Sequence, residues 1–154
     1  LSQAYVIDTG LLVLLAAGMV SRGHIGKHRN LRAFSEEDYD VLCQLISKGS
    51  RILVTPNTLT EASNLASQIK DPDRGRIREA LRSIVNEAEE HYVPSRAAAA
   101  RKEFLWLGLT DAAFLELPVS DATLITVDSR LHRDTLANGR HSINFNHLRD
   151  QYYS

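Results

Sequence analysis

Four carboxylates stand where the sequence passes from one expected element to the next: Asp8, Glu61, Asp111 and Asp128. Asp8 closes the apolar run that begins at Ala4. Asp128 follows the run from Thr123 to Val127, with Thr126 two residues earlier on the same side of that strand. Glu61 falls in the first turns of a helix after the second strand, and Asp111 in the first turn of a helix before the third. With parallel strands, all four reach the carboxyl-end rim where ligands of α/β sheets collect. Carboxylates crowded in water-poor surroundings repel one another unless a cation sits among them. Mg²⁺ or Mn²⁺ suits an all-oxygen set, keeps several waters and partners phosphate oxygens, so the pattern points to metal-assisted phosphodiester hydrolysis. Thr126 is placed to bond Asp128 or a water at that site.

The elements that must position these acids alternate. A strand over Ala4–Asp8 leads into a helix from Leu11 to Val20. Residues 21–34 carry Gly23, Gly26 and many cations without an apolar period and read as a loop or poorly ordered excursion. Ser35 caps a helix with acids in its first turn and Tyr39, Leu42, Leu45 and Ile46 on its apolar face, ending at Gly49–Ser50. A second strand spans Arg51–Thr55, and Thr58 with Glu61 has capping-box spacing for the next helix. After a turn at Asp71–Gly75 an amphipathic helix runs to about Glu90, and Tyr92–Pro94 reads as a brief strand. Ser95 opens an Ala-rich helix to Leu107–Gly108, and Thr110 caps Asp111–Leu117. The third strand, a helix to Leu136, a turn at Asn138–Gly139 and a last strand over Ser142–Phe145 complete the chain. This order implies a three-layer α/β/α domain with a mainly parallel sheet, residues 1–154 forming one unit.

Composition sets the outer limits. A chain of 154 residues, 44% hydrophobic and 24% charged, suits one soluble domain with a core large enough to dispense with disulfides. The single Cys43 has no partner, no zinc-type Cys/His spacing is apparent and the six histidines show no ligand pattern, so a reducing, cytoplasmic setting is expected. The stretch from Leu11 to Ala17 is too short to span a membrane and no basic segment precedes it. Leu1–Gln3, without an initiating Met, read as a trimmed end. Net charge is -1, from 18 Lys and Arg against 19 Asp and Glu. Setting the four acids aside leaves the remainder net positive, with cations clustered at 22–32 and 130–133.

Four segments together resemble the PIN domain family: Tyr5–Thr9, Leu59–Ser63 around Glu61, Thr110–Ala113 around Asp111, and Leu124–Asp128. Their order and spacing cover nearly the whole chain. The resemblance implies a Mg²⁺- or Mn²⁺-dependent endoribonuclease in which Asp8, Glu61, Asp111 and Asp128 hold the metal, Asp8 and Asp128 as direct ligands. It also implies products bearing 5′-phosphate and 3′-hydroxyl ends. Members serve widely as toxins of VapC-type toxin–antitoxin pairs, so an RNA substrate, an antitoxin partner and a homodimer are implied, with an rRNA- or tRNA-processing role as the competing assignment. Gly10 departs from the small polar residue usual after the first Asp-Thr, and segment 21–34 is longer and more basic than in small toxins.

Each acid also has a purely structural reading: Asp8, Asp111 and Asp128 at helix N-termini, Glu61 in a capping box with Thr58. A catalytically inactive PIN-like module binding RNA or a protein is the alternative function. A haloacid-dehalogenase-type phosphatase would need a second Asp where Gly10 stands. Arg22, Lys27 and Arg29, within a stretch that includes His24, His28 and Arg32, and Arg130 and Arg133 beside Asp128, are candidate phosphate contacts; a solvated surface is the other reading. Arg74, Arg76, Arg78 and Arg82 read as a solvated helix face or a partner-facing surface. Asn64 is placed to orient Glu61 or to stand exposed. Cys43 reads as core, and Trp106, Phe104 and Phe114 as packing residues.

Overall fold

Short strands with apolar residues on both faces call for helices above and below the sheet. The computed structural model describes residues 3–47 and 50–153; Leu1, Ser2 and Gly49, expected as a trimmed end and a helix stop, lie outside the described residues. Strands β1 (Ala4–Ile7), β2 (Arg51–Val54), β3 (Glu89–Glu90), β4 (Thr123–Thr126) and β5 (His141–Asn144) form one sheet in the order β3-β2-β1-β4-β5, every neighbouring pair parallel. Side chains alternate across it. Ala4, Val6, Leu53 and Leu124 enter one core; Ile7 and Ile125 enter the other.

The second of these cores is covered by α1 (Thr9–Val20), α2 (Glu36–Leu45), α3 (Pro56–Ala66), α4 (Asp73–Glu87) and α9 (Phe145–Tyr153). Helix α1 is buried from Leu11 to Gly18, which explains why it is apolar all round: α2, α3 and α4 enclose it. Each fully buried Leu or Ile there is worth about 1.5–3 kcal/mol. The opposite core is covered by α5 (Ser95–Ala99), α6 (Phe104–Leu107), α7 (Leu109–Phe114) and α8 (Ser129–Ala137). The three-layer α/β/α expectation holds.

Several local expectations change. Residues 21–34 are not a loose loop: they form two short 3₁₀ turns, Arg22–His24 and Arg29–Leu31, pinned by fully buried Ile25 and Leu31. Thr55, not Thr58, caps α3, accepting from Thr58 N at 3.2 Å with Pro56 in the first helical position. Helix α4 stops at Glu87 because Ala88 is extended and Glu89–Glu90 pair with Leu53–Val54 as β3. The expected strand at Tyr92–Pro94 therefore lies a few residues earlier. The Ala-rich helix breaks after Ala99, where Arg101 turns to Glu116 and Asn138, and Asn138 bonds buried Glu103. Helix α7 starts at Leu109, directly after Gly108, whose φ of +84° only glycine adopts without strain. Phe145 is not strand: its buried ring opens α9, unexpected from a polar tail, which returns Arg149 to Asp38.

Candidate metal centre at the carboxyl-end rim

Strands β2 and β4 flank β1, and the connections leaving β1 and β4 run to opposite sides of the sheet. This is the topological switch point at which open α/β sheets form a crevice. The β1–β4 register ends at Ile7 opposite Ile125, so Asp8 arrives beside Thr126, and Asp8 N donates to Ile125 O at 3.0 Å. Asp8 Oδ1 accepts from Thr9 N at 2.8 Å, capping α1, while Oδ2 accepts from the buried Thr126 hydroxyl at 2.6 Å. The same hydroxyl accepts from Asp128 N at 3.0 Å. Thr126 thus joins the two strand-end acids. Asp128 caps α8, its Oδ1 taking Arg130 N at 2.9 Å and Leu131 N at 3.1 Å.

The other two acids come from helices locked to this frame. Buried Thr58 meets Thr9 at 3.0 Å, fixing α3 to α1, and Glu61 stands one turn further along α3. Thr110 donates its hydroxyl to Glu61 Oε2, which joins α7 to α3 one residue before Asp111. The capping roles of Asp8 and Asp128 are therefore real and coexist with the rim. The capping box proposed for Glu61 with Thr58 is absent. Asn64 is exposed.

Electrostatics show that the four acids share one field. Asp111 is pushed up to about 8 from an ordinary 3.8, by burial first and then by the charges of Asp8, Asp128 and Glu61. Burial, and then Asp8, raises Glu61. Asp8 is raised by burial and by Asp128, against the opposing bonds from Thr126 and Thr9. The charges that shift these three groups are all carboxylates. All four donors offer oxygen, the chemistry that hard divalent cations select. Among the described residues, no three of the four bring one ligand atom each within 4.8 Å of one another.

The candidate substrate cations separate. Arg130 lies at the rim through its backbone bond to Asp128, and its guanidinium covers the Trp106 ring at 5.2 Å. Trp106 is 40% exposed and donates to Asp134 at 2.7 Å, so it is a surface residue rather than a packing one. Arg133 is exposed on α8. Arg22 is engaged with Asp40, at 3.2 and 2.7 Å, and Lys27 with Asp73 at 2.9 Å. Arg29 lines a groove with Lys27, Arg32 and Lys70. Cys43 packs against the α1-side core, and burial raises its thiol pKa, in keeping with a core role.

Two features escaped sequence reading. Tyr92, 76% exposed, borders an open groove shared with Glu61, Thr110, Asn57 and Ser95. The histidines do contain a ligand arrangement: His24, His28 and Asp73 bring one ligand atom each within 4.8 Å and could hold a metal ion. The spacing of four between the two histidines was the available signal; Asp73 was hidden by its distance in sequence. Among the described residues no helix is long and apolar enough to cross a membrane. Compared with models of known protein families the chain matches none, and no curated protein matches it.

Proposed function

We propose that the chain is a metal-dependent endoribonuclease of the PIN type, hydrolysing RNA phosphodiester bonds at the rim formed by Asp8, Glu61, Asp111 and Asp128. The observation that carries this reading is the Asp111 carboxyl. Three acids from three other element junctions add to burial in raising its pKa to about 8. Perturbation of that size marks Asp111 as a candidate functional acid, and the all-oxygen set fits Mg²⁺ or Mn²⁺. When bound, such a cation supplies a water of lowered pKa and positive charge opposite the phosphate oxygens.

The chain's own residues do the positioning. Asp8, Asp111 and Asp128 would hold the cation, with Glu61 completing the set. Thr126 fixes Asp8 and the backbone of Asp128, and Thr110 fixes Glu61. Arg130 and Tyr92 flank the rim, one suited to a phosphate and the other to a base. In the hydrolysis a water oxygen bonds to phosphorus as the bond to the 3′ oxygen breaks. That oxygen leaves with a proton, giving 3′-hydroxyl and 5′-phosphate ends. A cytoplasmic toxin held by an antitoxin, with a homodimeric active form, extends the same reading.

The test is cleavage of a labelled RNA by the purified chain with Mn²⁺, with EDTA, and by the Asp111→Asn variant. Cutting only by wild type with metal is expected. Full cleavage by folded Asp111→Asn, or RNA binding without cleavage by wild type, would overturn the assignment.

A further inference from the structure

Segment 21–34, between α1 and α2, brings two imidazoles to the N-terminus of α4, away from the four acids in sequence and in bonding partners. His28 Nε2 stands 3.4 Å from His24 Nδ1 and 3.6 Å from Asp73 Oδ2, while His24 Nε2 stands 3.9 Å from Asp73 Oδ1. Ligands held tetrahedrally at zinc–nitrogen distances of about 2.0–2.1 Å lie about 3.3–3.4 Å apart. These distances use different nitrogens of His24; one ligand atom from each residue lies within 4.8 Å of the other two, so side-chain rotation must draw the trio in by up to about 1.4 Å. It is also shielded: the side chains are 12%, 12% and 13% exposed, so these donors are gathered in the fold rather than meeting by chance on the surface.

Two imidazoles and one carboxylate suit a borderline cation such as Zn²⁺ better than Mg²⁺, which prefers oxygen alone. Lys27 Nζ holds Asp73 Oδ2 at 2.9 Å, but its side chain is 62% exposed and can withdraw from the carboxylate. Three protein ligands leave a position for water, reached from the groove that His28 and Asp73 help line.

We propose that His24, His28 and Asp73 form a transition-metal site of the zinc class, separate from the four-acid rim, that clamps segment 21–34 onto α4. The trio joins elements far apart in sequence, so binding there would stabilise the packed segment by mass action.

The metal-free chain is titrated with Zn²⁺ by calorimetry, alongside His28→Ala, the near-isosteric Asp73→Asn and, as control, Asp111→Asn, with circular dichroism checking each fold. Asp111→Asn, whose rim has lost a ligand, is expected to keep a Zn²⁺ site that wild type shares, while His28→Ala and Asp73→Asn bind Zn²⁺ at that site at least about tenfold more weakly. Co²⁺ in wild type should develop the visible bands of a four-coordinate site, absent in Asp73→Asn. Failure of wild type to bind Zn²⁺, undiminished binding by Asp73→Asn, or loss of the site in Asp111→Asn would overturn the proposal.

Discussion

An acid kept for chemistry should burden the fold that holds it, and Asp111→Asn measures that burden. Its pKa rises from 3.8 to about 8 on folding. Between pH 4 and 8 the unfolded chain has released this proton while the folded chain retains it. Stability from this group therefore falls as pH rises and levels off above about 8. At 1.36 kcal/mol per unit the ceiling at pH 7 is about 4 kcal/mol. Water reaches the rim and screens part of the repulsion from the neighbouring acids, so about 2 kcal/mol is expected. Asparagine preserves the shape and removes the charge. In EDTA at pH 7 Asp111→Asn should melt about 4–8 °C above wild type, and the gap should close towards pH 4. Mn²⁺ should then raise wild type more than the variant, since the variant has lost a ligand. Thermal melts across pH test this; a variant less stable than wild type in EDTA at pH 7 would show Asp111 to be a structural acid.

Thr126→Val removes the hydroxyl that serves Asp8 and Asp128 N; it should cost about 1–3 kcal/mol by urea denaturation and reduce cleavage, with Thr126→Ser restoring both. Tyr92→Ala should raise KM for RNA by about tenfold with kcat retained, the loss of one base-stacking contact, read from steady-state kinetics. Arg149→Ala leaves fully buried Asp38 with bonds from Ser35 N and the Tyr153 hydroxyl but without the guanidinium that donates to it at 2.5 and 3.2 Å; a loss of about 3 kcal/mol is expected in chemical denaturation. Gly18→Ala would drive a Cβ into the Tyr39 ring, whereas one at Gly10 meets nothing within 4 Å. The first should destabilise by about 1–3 kcal/mol and the second should leave thermal stability equal or up to about 1 kcal/mol higher.

What could be read from the sequence depended on whether the signal was local. Short apolar runs marked β1, β2 and β4, and Ser35 with its following acids marked α2, because strand hydrophobicity and capping chemistry reside in adjacent residues. Strand β3 was hidden because Glu89 and Glu90 are ordinary helix formers, held extended by pairing with β2 and, at Glu89, by Arg51. Helix α9 was hidden because its anchor, Arg149 on Asp38, spans most of the chain. The four acids were legible because each lies at an element junction. That they share one rim was expected from the parallel sheet; the Thr110–Glu61 bond that joins α7 to α3 was not, since it links residues far apart in sequence. The His24–His28–Asp73 arrangement was missed for the same reason, one ligand lying on a distant helix.

If Asp8, Glu61, Asp111 and Asp128 form one hard-cation site, anomalous scattering from a crystal of the chain grown with Mn²⁺ locates the ion there. A manganese peak is expected between Asp8, Asp111 and Asp128, with the carboxylates drawn together and the peak lost in Asp111→Asn. A well-ordered rim without manganese, at concentrations that saturate ordinary Mn²⁺ sites, would contradict it.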